Sequence, residues 1–176
     1  MPDNLLKTKP PESTASFTTV ETAIASNLKS ALQVAYRQLG DWETARDVVQ
    51  DAVLEVLQHS REAQMVDNFR AWFLRIVLNR CTDWYRRWQR FRRWQIKQWL
   101  KGETDSSGKA VDEPDWFQSV LHQLPRKQRM IVILRYQENF TVEEIADMLN
   151  ISADTVRVHL MRARQRIRQF LEKKND

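Results

Sequence analysis

The chain has 176 residues, enough for one medium domain or two small ones with a buried core and no covalent staples. Its three glycines and five prolines leave two long stretches, between Gly40 and Gly102 and after Pro125, free of strong breakers, which predicts an all-α protein. A net charge of +5 fits a polyanionic partner, while the lone Cys81 excludes an internal disulfide framework and a Cys-rich zinc site and suits a reducing cytosol.

The charge is unevenly spread. Residues 67–101 hold ten Arg/Lys against two Asp, and 126–174 hold eleven Arg/Lys against six acids, whereas 26–66 and 102–125 are net acidic. Two basic blocks so separated look like two contacts on one nucleic acid, although any single Arg is by default a solvated side chain.

Residues 1–25 carry Pro2, Lys7, Lys9, Pro10 and Pro11 and no apolar run. They are expected to be a flexible tail, neither signal peptide nor membrane span. A first module, 26–101, shows helix periodicity. Within it, DWETARDVVQDAVLEVLQHS places Ala45, Val48, Val49, Ala52, Val53, Val56 and Leu57 on one face to be buried. The opposite face shows Glu43, Asp47, Gln50, Asp51 and Glu55. Such a face is ordinarily just solvated, but on a basic protein it also suits a basic partner.

The next helix has Asp67 available as its N-cap and an apolar stripe of Phe69, Phe73, Ile76, Val77, Cys81 and Trp84. Its spacing makes Cys81 a small core side chain rather than a reactive thiol. From Trp84 the pattern changes: Trp84, Tyr85, Trp88, Phe91, Trp94 and Trp99 interleave with Arg86, Arg87, Arg90, Arg92, Arg93, Lys97 and Lys101. Rings beside guanidinium groups can stack on exposed bases while the cations hold phosphates. For Trp84 and Trp88 core packing is the favoured reading, and a basic amphipathic helix on a membrane surface is a third one.

GETDSSGKAVDEP, Gly102 to Pro114, is polar almost throughout and reads as a linker. Extended, its thirteen residues reach roughly 43–47 Å, more than one turn of DNA. A second module, 115–173, opens with WFQSVLHQLPRKQRMIVILRYQENF, two helices broken before Pro125. In TVEEIADMLNISADTVRVHLMRAR, Thr141 and Glu144 form a capping box for a helix starting at Val142, and Ile145, Ala146 and Leu149 make its inner face. Asn150 falls at a sharp turn and tolerates the left-handed conformation. Ser152 caps a following helix whose Val156 and Leu160 face inward, leaving Arg157, Val158, Met161, Arg162 and Arg164 at or near its exposed side. Small Ala146 permits the close crossing of a DNA-binding helix-turn-helix, the favoured reading with an Arg-lined second helix, although any short αα-hairpin has caps and an apolar face. His59, His122 and His159 are scattered, and no glycine loop, nucleophile triad or metal cluster stands out. The chain is therefore expected to catalyse no covalent chemistry, to need no cofactor and to take no small-molecule substrate.

Together these segments resemble the bacterial RNA polymerase sigma factors of the extracytoplasmic-function group, across most of residues 28–171 and in the family's order. LGDWETARDVVQDAVLEVL is similar to the polymerase-binding helix, NFRAWFLRIVLNRCTDWYRR to the segment that reads and melts the minus-ten element, and LPRKQRMIVILRYQENFTVEEIADMLNISADTVRVHLMRARQRIRQFL to the domain that reads the minus-thirty-five element.

The resemblance implies core RNA polymerase as partner, bound at its clamp coiled coil and its flap, with Asp47, Gln50, Asp51 and Glu55 on the clamp. It implies promoter DNA as the second partner, double-stranded and single-stranded. Asn68, Phe69 and Trp72 then lie near a pocket for a flipped minus-ten base, and Arg75, Asn79, Arg80, Asp83, Arg86 and Arg87 along the strand. Phe69 and Trp72 are equally readable as core. Arg157, Val158, Met161 and Arg162, with Arg164 beside them, match the major-groove readers, and Arg126, Lys127, Arg164, Arg166 and Arg168 suit phosphates. Such factors are often held inactive by an anti-sigma partner. Asn150 stands where glycine is common, His159 and Met161 differ from frequent family choices, and no family role maps onto Trp88–Trp99. A helix-turn-helix regulator of the response-regulator output type is the alternative, and it requires an α/β domain upstream that 26–101 does not suggest.

Overall fold

Helix is the only regular structure among the described residues, as the scarcity of glycine and proline predicts. The computed structural model describes residues 12–99 and 116–175, with side chains described for 20–91 and 116–173. The first module comprises α1 (Glu12–Leu39), α2 (Trp42–Gln58), a single turn α3 (Ser60–Gln64) and α4 (Phe69–Trp99). The second comprises α5 (Trp116–His122), α6 (Arg126–Val132) running into a π-helical turn at Ile133–Gln137, α7 (Val142–Leu149) and α8 (Ala153–Asn175). The expected linker, 102–114, lies outside the described residues.

The tail expected over 1–25 is corrected from Glu12 onward, where α1 begins. Val20 and Ile24 are buried at its inner face, so α1 spans far more of the first module than the prolines near the start suggest. Ala31, Val34 and Ala35 of α1 meet Ala45, Val48, Val49, Ala52 and Val56 of α2 and Phe73, Leu74, Val77, Leu78 and Cys81 of α4, forming a three-helix core. The predicted face of α2 is thus the buried one, with Val53 and Leu57 at its half-buried edges. Burial pushes the Cys81 thiol up to about 12, so it is a core side chain and no nucleophile.

Asp41 caps α2, its carboxylate accepting from the Thr44 backbone N–H at 2.8 Å. The cap of α4 is Asn68 rather than Asp67: Asn68 Oδ1 accepts from the Ala71 N–H at 3.0 Å. Both residue types cap well, and the helix starts one residue later than Asp67 would place it. The helix then continues through the tryptophan-rich run to Trp99 without folding back.

In the second module, Leu121, Leu124, Ile131, Ile133, Leu134, Ile145, Val156, Leu160 and Ala163 are buried together. The two modules are packed against each other, with α6 on α1 and α7 on α4. The turn after α1 shows why. Gly40 adopts φ +84°, and a Cβ there would lie 2.7 Å from His122 Cε1 of α5. Only glycine meets both demands.

Candidate nucleic-acid and protein interfaces

The second module presents a helix pair with the local chemistry its sequence predicts. Thr141 Oγ1 accepts from the Glu144 N–H at 3.1 Å and Glu144 Oε2 accepts from the Thr141 N–H at 2.7 Å, a reciprocal cap. These bonds to the charged form hold the Glu144 carboxyl below the usual carboxylate range. Asn150 is left-handed, at φ 51° and ψ 53°, and Ser152 Oγ accepts from the Thr155 N–H at 3.1 Å to start α8. With Ala146, Val156 and Leu160 buried between the helices, Arg157, Val158, Met161, Arg162 and Arg164 face solvent. Val158 and Met161 are 40% and 51% exposed, large apolar groups on an otherwise cationic face. Such a surface can read thymine methyls beside guanine edges.

Arg157 is not idle in this state. Its guanidinium donates to Glu143 Oε1 at 2.9 Å and Asp154 Oδ1 at 2.8 Å, so base contact requires it to leave two carboxylates. Arg164 donates to the Tyr136 hydroxyl, at 2.7 Å from its NH2 nitrogen. Arg166, Arg168 and Lys127 are exposed. His159, on the same helix, has its pKa lowered by burial, then by Lys127 and Arg162, and its Nδ1 is buried with no hydrogen-bond partner. Arg126 differs from expectation. Its guanidinium lies over the Tyr85 ring of the first module, 3.5 Å from the centroid, rather than standing free for a phosphate.

Asn68 at the cap of α4 and Arg75, Asn79, Asp83, Arg86 and Arg87 along it are exposed, tracing one side of the helix. Phe69 and Trp72 are half-buried, their ring centroids 5.9 Å apart, and Phe69 packs against Phe73 in turn. Both therefore combine a core contact with an accessible edge. Arg86 pairs with Asp83 at 3.5 Å. Trp84 packs on the core as expected, but Trp88 does not: it is 38% exposed and stacks on Trp84 at 6.4 Å, with Tyr85 5.7 Å away. The helix outruns the bundle that buries Trp84. Trp88 and Phe91, at 54% exposure, thus extend an aromatic and basic surface.

On α2, Asp47, Gln50 and Asp51 are exposed on a single stripe. Glu55 instead binds Arg80 of α4, its carboxylate 2.8 Å from the guanidinium, so these two residues tie the helices together. Leu54 was not singled out by its pattern, yet it is 51% exposed between Asp51 and Glu55. At helical spacing it falls on the same side of α2 as exposed Asp47, Gln50 and Asp51, adding an apolar group to an acidic stripe. Its place outside the i, i+3, i+4 stripe was the available signal.

Among the described residues no helix is long and apolar enough to cross a membrane, and no cluster of three or more His, Cys, Asp or Glu side chains could hold a metal.

Known proteins match both halves. The family described as sigma-70 region 2 matches residues 23–91, and that described as sigma-70, region 4 matches 115–167. RNA polymerase sigma factor SigV of Bacillus subtilis is 26% identical over 157 residues, covering 88% of this chain and 92% of that protein. The RNA polymerase sigma-E factor of Streptomyces avermitilis is 28% identical over 158 residues, covering 88% and 86%. Among solved structures, the sigma factor RpoE of Bartonella quintana, crystallised with the anti-sigma factor NepR, superposes with a TM-score of 0.70 at 21% identity, covering 88% of this chain and 98% of that one. CnrH, solved with the cytosolic domain of CnrY, gives 0.64 at 23% identity and covers 92% and 95%.

Proposed function

The chain belongs to the sigma-70 family of RNA polymerase sigma factors, in its extracytoplasmic-function group, and from that premise we propose how its surfaces divide the work of starting transcription. It directs initiation by binding core RNA polymerase and promoter DNA; sigma factors are initiation factors, not catalysts in themselves. The observation that carries this reading is the pairing, in one chain and in family order, of a region 2 with a region 4 whose reading helix is capped and exposed.

The acidic stripe Asp47, Gln50 and Asp51, with Leu54 at its centre, docks on the basic rim of the polymerase clamp coiled coil. Removing apolar area from water supplies affinity there, and the carboxylates supply orientation and encounter rate. The second module rests near the flap and sets the fragment's register. Arg157 and Arg162 of α8 pair with base edges of the upstream element, Val158 and Met161 touch methyl groups, and Lys127, Arg164, Arg166 and Arg168 hold phosphates.

At the downstream element the exposed side of α4 follows one DNA strand. Arg75, Arg86 and Arg87 neutralise phosphates, Asn79 and Asp83 offer hydrogen bonds, and the edges of Phe69 and Trp72 receive an unstacked base. Melting follows from this preference: a surface that binds the single strand better than the duplex shifts the equilibrium toward separated strands. The protein works in the cytoplasm, where the polymerase is, and is held in check by an anti-sigma partner of the kind seen with its structural neighbours. The response-regulator alternative is not favoured, because the described first module is wholly helical and matches region 2.

The test is assembly. Purified protein and core polymerase should co-elute at one-to-one stoichiometry, and an excess of another sigma factor should displace it. Failure to co-elute, with helical content intact, would remove the polymerase from the account.

A further inference from the structure

The far end of α4 outruns the bundle, and its turns divide by chemistry into two faces. Trp84, Trp88 and Phe91 stand at i, i+4 and i+7, one stripe along the helix, while Arg86 and Arg90 stand two places on from Trp84 and Trp88. Two residues turn an α-helix by about 200°, so the rings and these guanidinium groups lie on nearly opposite sides. Arg87 falls on the flank between them.

The first ring, Trp84, packs on the core, and the next two leave it. Trp88 is 38% exposed, stacked on Trp84 with centroids 6.4 Å apart, and Phe91 is 54% exposed. Arg86, Arg87 and Arg90 are exposed as well. In the sequence the spacing continues along the same helix, which runs to Trp99: Arg93 and Lys97 stand seven and eleven places after Arg86, and Trp99 fifteen after Trp84. From Trp84 to Lys101 seven Arg/Lys stand against no acidic residue, so the partner of this segment is an anion.

Three anionic partners suit that charge, and the two faces decide among them. A duplex offers phosphates alone and leaves Trp88 and Phe91 in water. A single strand held by stacking needs rings and cations on one side, where bases and their phosphates lie together. A bilayer surface takes both faces at once. Rings enter the boundary between headgroups and acyl chains, a depth at which tryptophan is enriched, and the cations stay at the level of the lipid phosphates.

We propose that the far end of α4, from Trp88 onward, is an interfacial helix that holds the protein on an anionic lipid surface, with Trp88 and Phe91 inserted and Arg86 and Arg90 at the phosphates. Among the described residues no helix is long and apolar enough to cross a bilayer, so the attachment is peripheral and reversible. It is independent of the reading as an initiation factor, because it needs neither polymerase nor DNA.

Flotation of the full chain with lipid vesicles tests this. The protein should float with vesicles of equal parts phosphatidylglycerol and phosphatidylcholine and stay in solution with phosphatidylcholine alone. Acyl chains brominated near the headgroup should quench part of its tryptophan emission. Trp88→Ser and Phe91→Ser together should cut vesicle affinity roughly tenfold or more, by removing the inserted apolar area. Arg90→Glu should cut it several-fold at low salt. Met65→Ser, at an 86% exposed apolar residue away from α4, should leave it unchanged. If the double variant loses helical content, Phe91→Ser alone replaces it and should weaken binding several-fold. No flotation of the wild-type chain would overturn the proposal. So would flotation that Arg90→Glu abolishes and the ring substitutions leave intact, since that is adsorption of charge alone. Binding of a single-stranded oligonucleotide through Trp88 and Phe91, without vesicle binding, would make this face a base-stacking platform and overturn it as well.

Discussion

Arg157 should be a promoter reader restrained by its own neighbours, and this predicts two substitutions of opposite sign. A bidentate Arg–guanine pair is worth about 1–3 kcal/mol of discrimination. Against it stand the two ion pairs that Arg157 must leave, to Glu143 and Asp154, whose side chains are 66% and 90% exposed. Exposed pairs of this kind contribute about 0.2–1 kcal/mol each. Arg157→Ala should therefore weaken use of the upstream element by about 1–2 kcal/mol, roughly 5- to 30-fold. Glu143→Gln should do the reverse, freeing the guanidinium and removing a negative charge near the phosphates, for a gain of about twofold at low salt. The assay is binding of reconstituted holoenzyme to a promoter located by its RNA starts, with and without the upstream element. Equal losses for Arg157→Ala on both templates, or weaker binding by Glu143→Gln, would refute the reasoning.

Asp51→Arg reverses charge on the docking stripe beside Leu54 and should weaken core polymerase binding about tenfold without lowering Tm, since Asp51 is exposed; unchanged affinity in a surface-binding titration would remove that face. Gly40→Ala places a Cβ 2.7 Å from His122 at φ +84° and should cost about 2 kcal/mol, a Tm loss of about 4–8 °C by calorimetry. A loss below about 1 °C would show that the turn relaxes freely. His122 Nε2 faces Gln118 Nε2 at 2.8 Å, so it accepts, and burial followed by the charge of Arg129 lowers its pKa below 6.5. Because the unfolded state then binds the proton more readily, stability is full above about pH 7.5 and is lost as pH falls through 6.5 toward the folded pKa. His122→Gln should flatten part of this slope in Tm against pH, leaving the same-signed contribution of His159; an unchanged slope would contradict the assignment.

The features that were legible in the sequence are those whose partners lie within a few residues. Thr141 and Glu144 cap one turn, Asn150 bends the chain at a single residue, and the apolar spacing from Ala45 to Val56 orients α2 by itself. The early start of α1 was hidden because Val20 and Ile24 stand behind a proline-rich opening that fits an unstructured tail equally well. Asp67 and Asn68 are adjacent, equally able caps, and only the helix start decides between them. The contact of Glu138 with Ser30 and Arg70 of the other module was not legible at all. Glu138, Ser30 and Arg70 are 108 and 68 positions apart, and nothing near Glu138 distinguishes it from a solvated carboxylate. For the same reason Arg126 read as a phosphate ligand, although a ring of the other module lies beneath it. Trp88 read as core because its spacing is regular, but α4 extends past the helices that would have buried it.

Whether this chain confers promoter choice on core RNA polymerase is decided by transcription in vitro. Purified protein is mixed with bacterial core polymerase and fragmented DNA of the source organism, and the RNA starts are mapped. Discrete starts that depend on the protein should appear and share two sequence elements upstream, the farther one losing its influence with Arg157→Ala and Arg162→Ala together. Duplex binding by the protein without association with polymerase, and no protein-dependent starts, would contradict it.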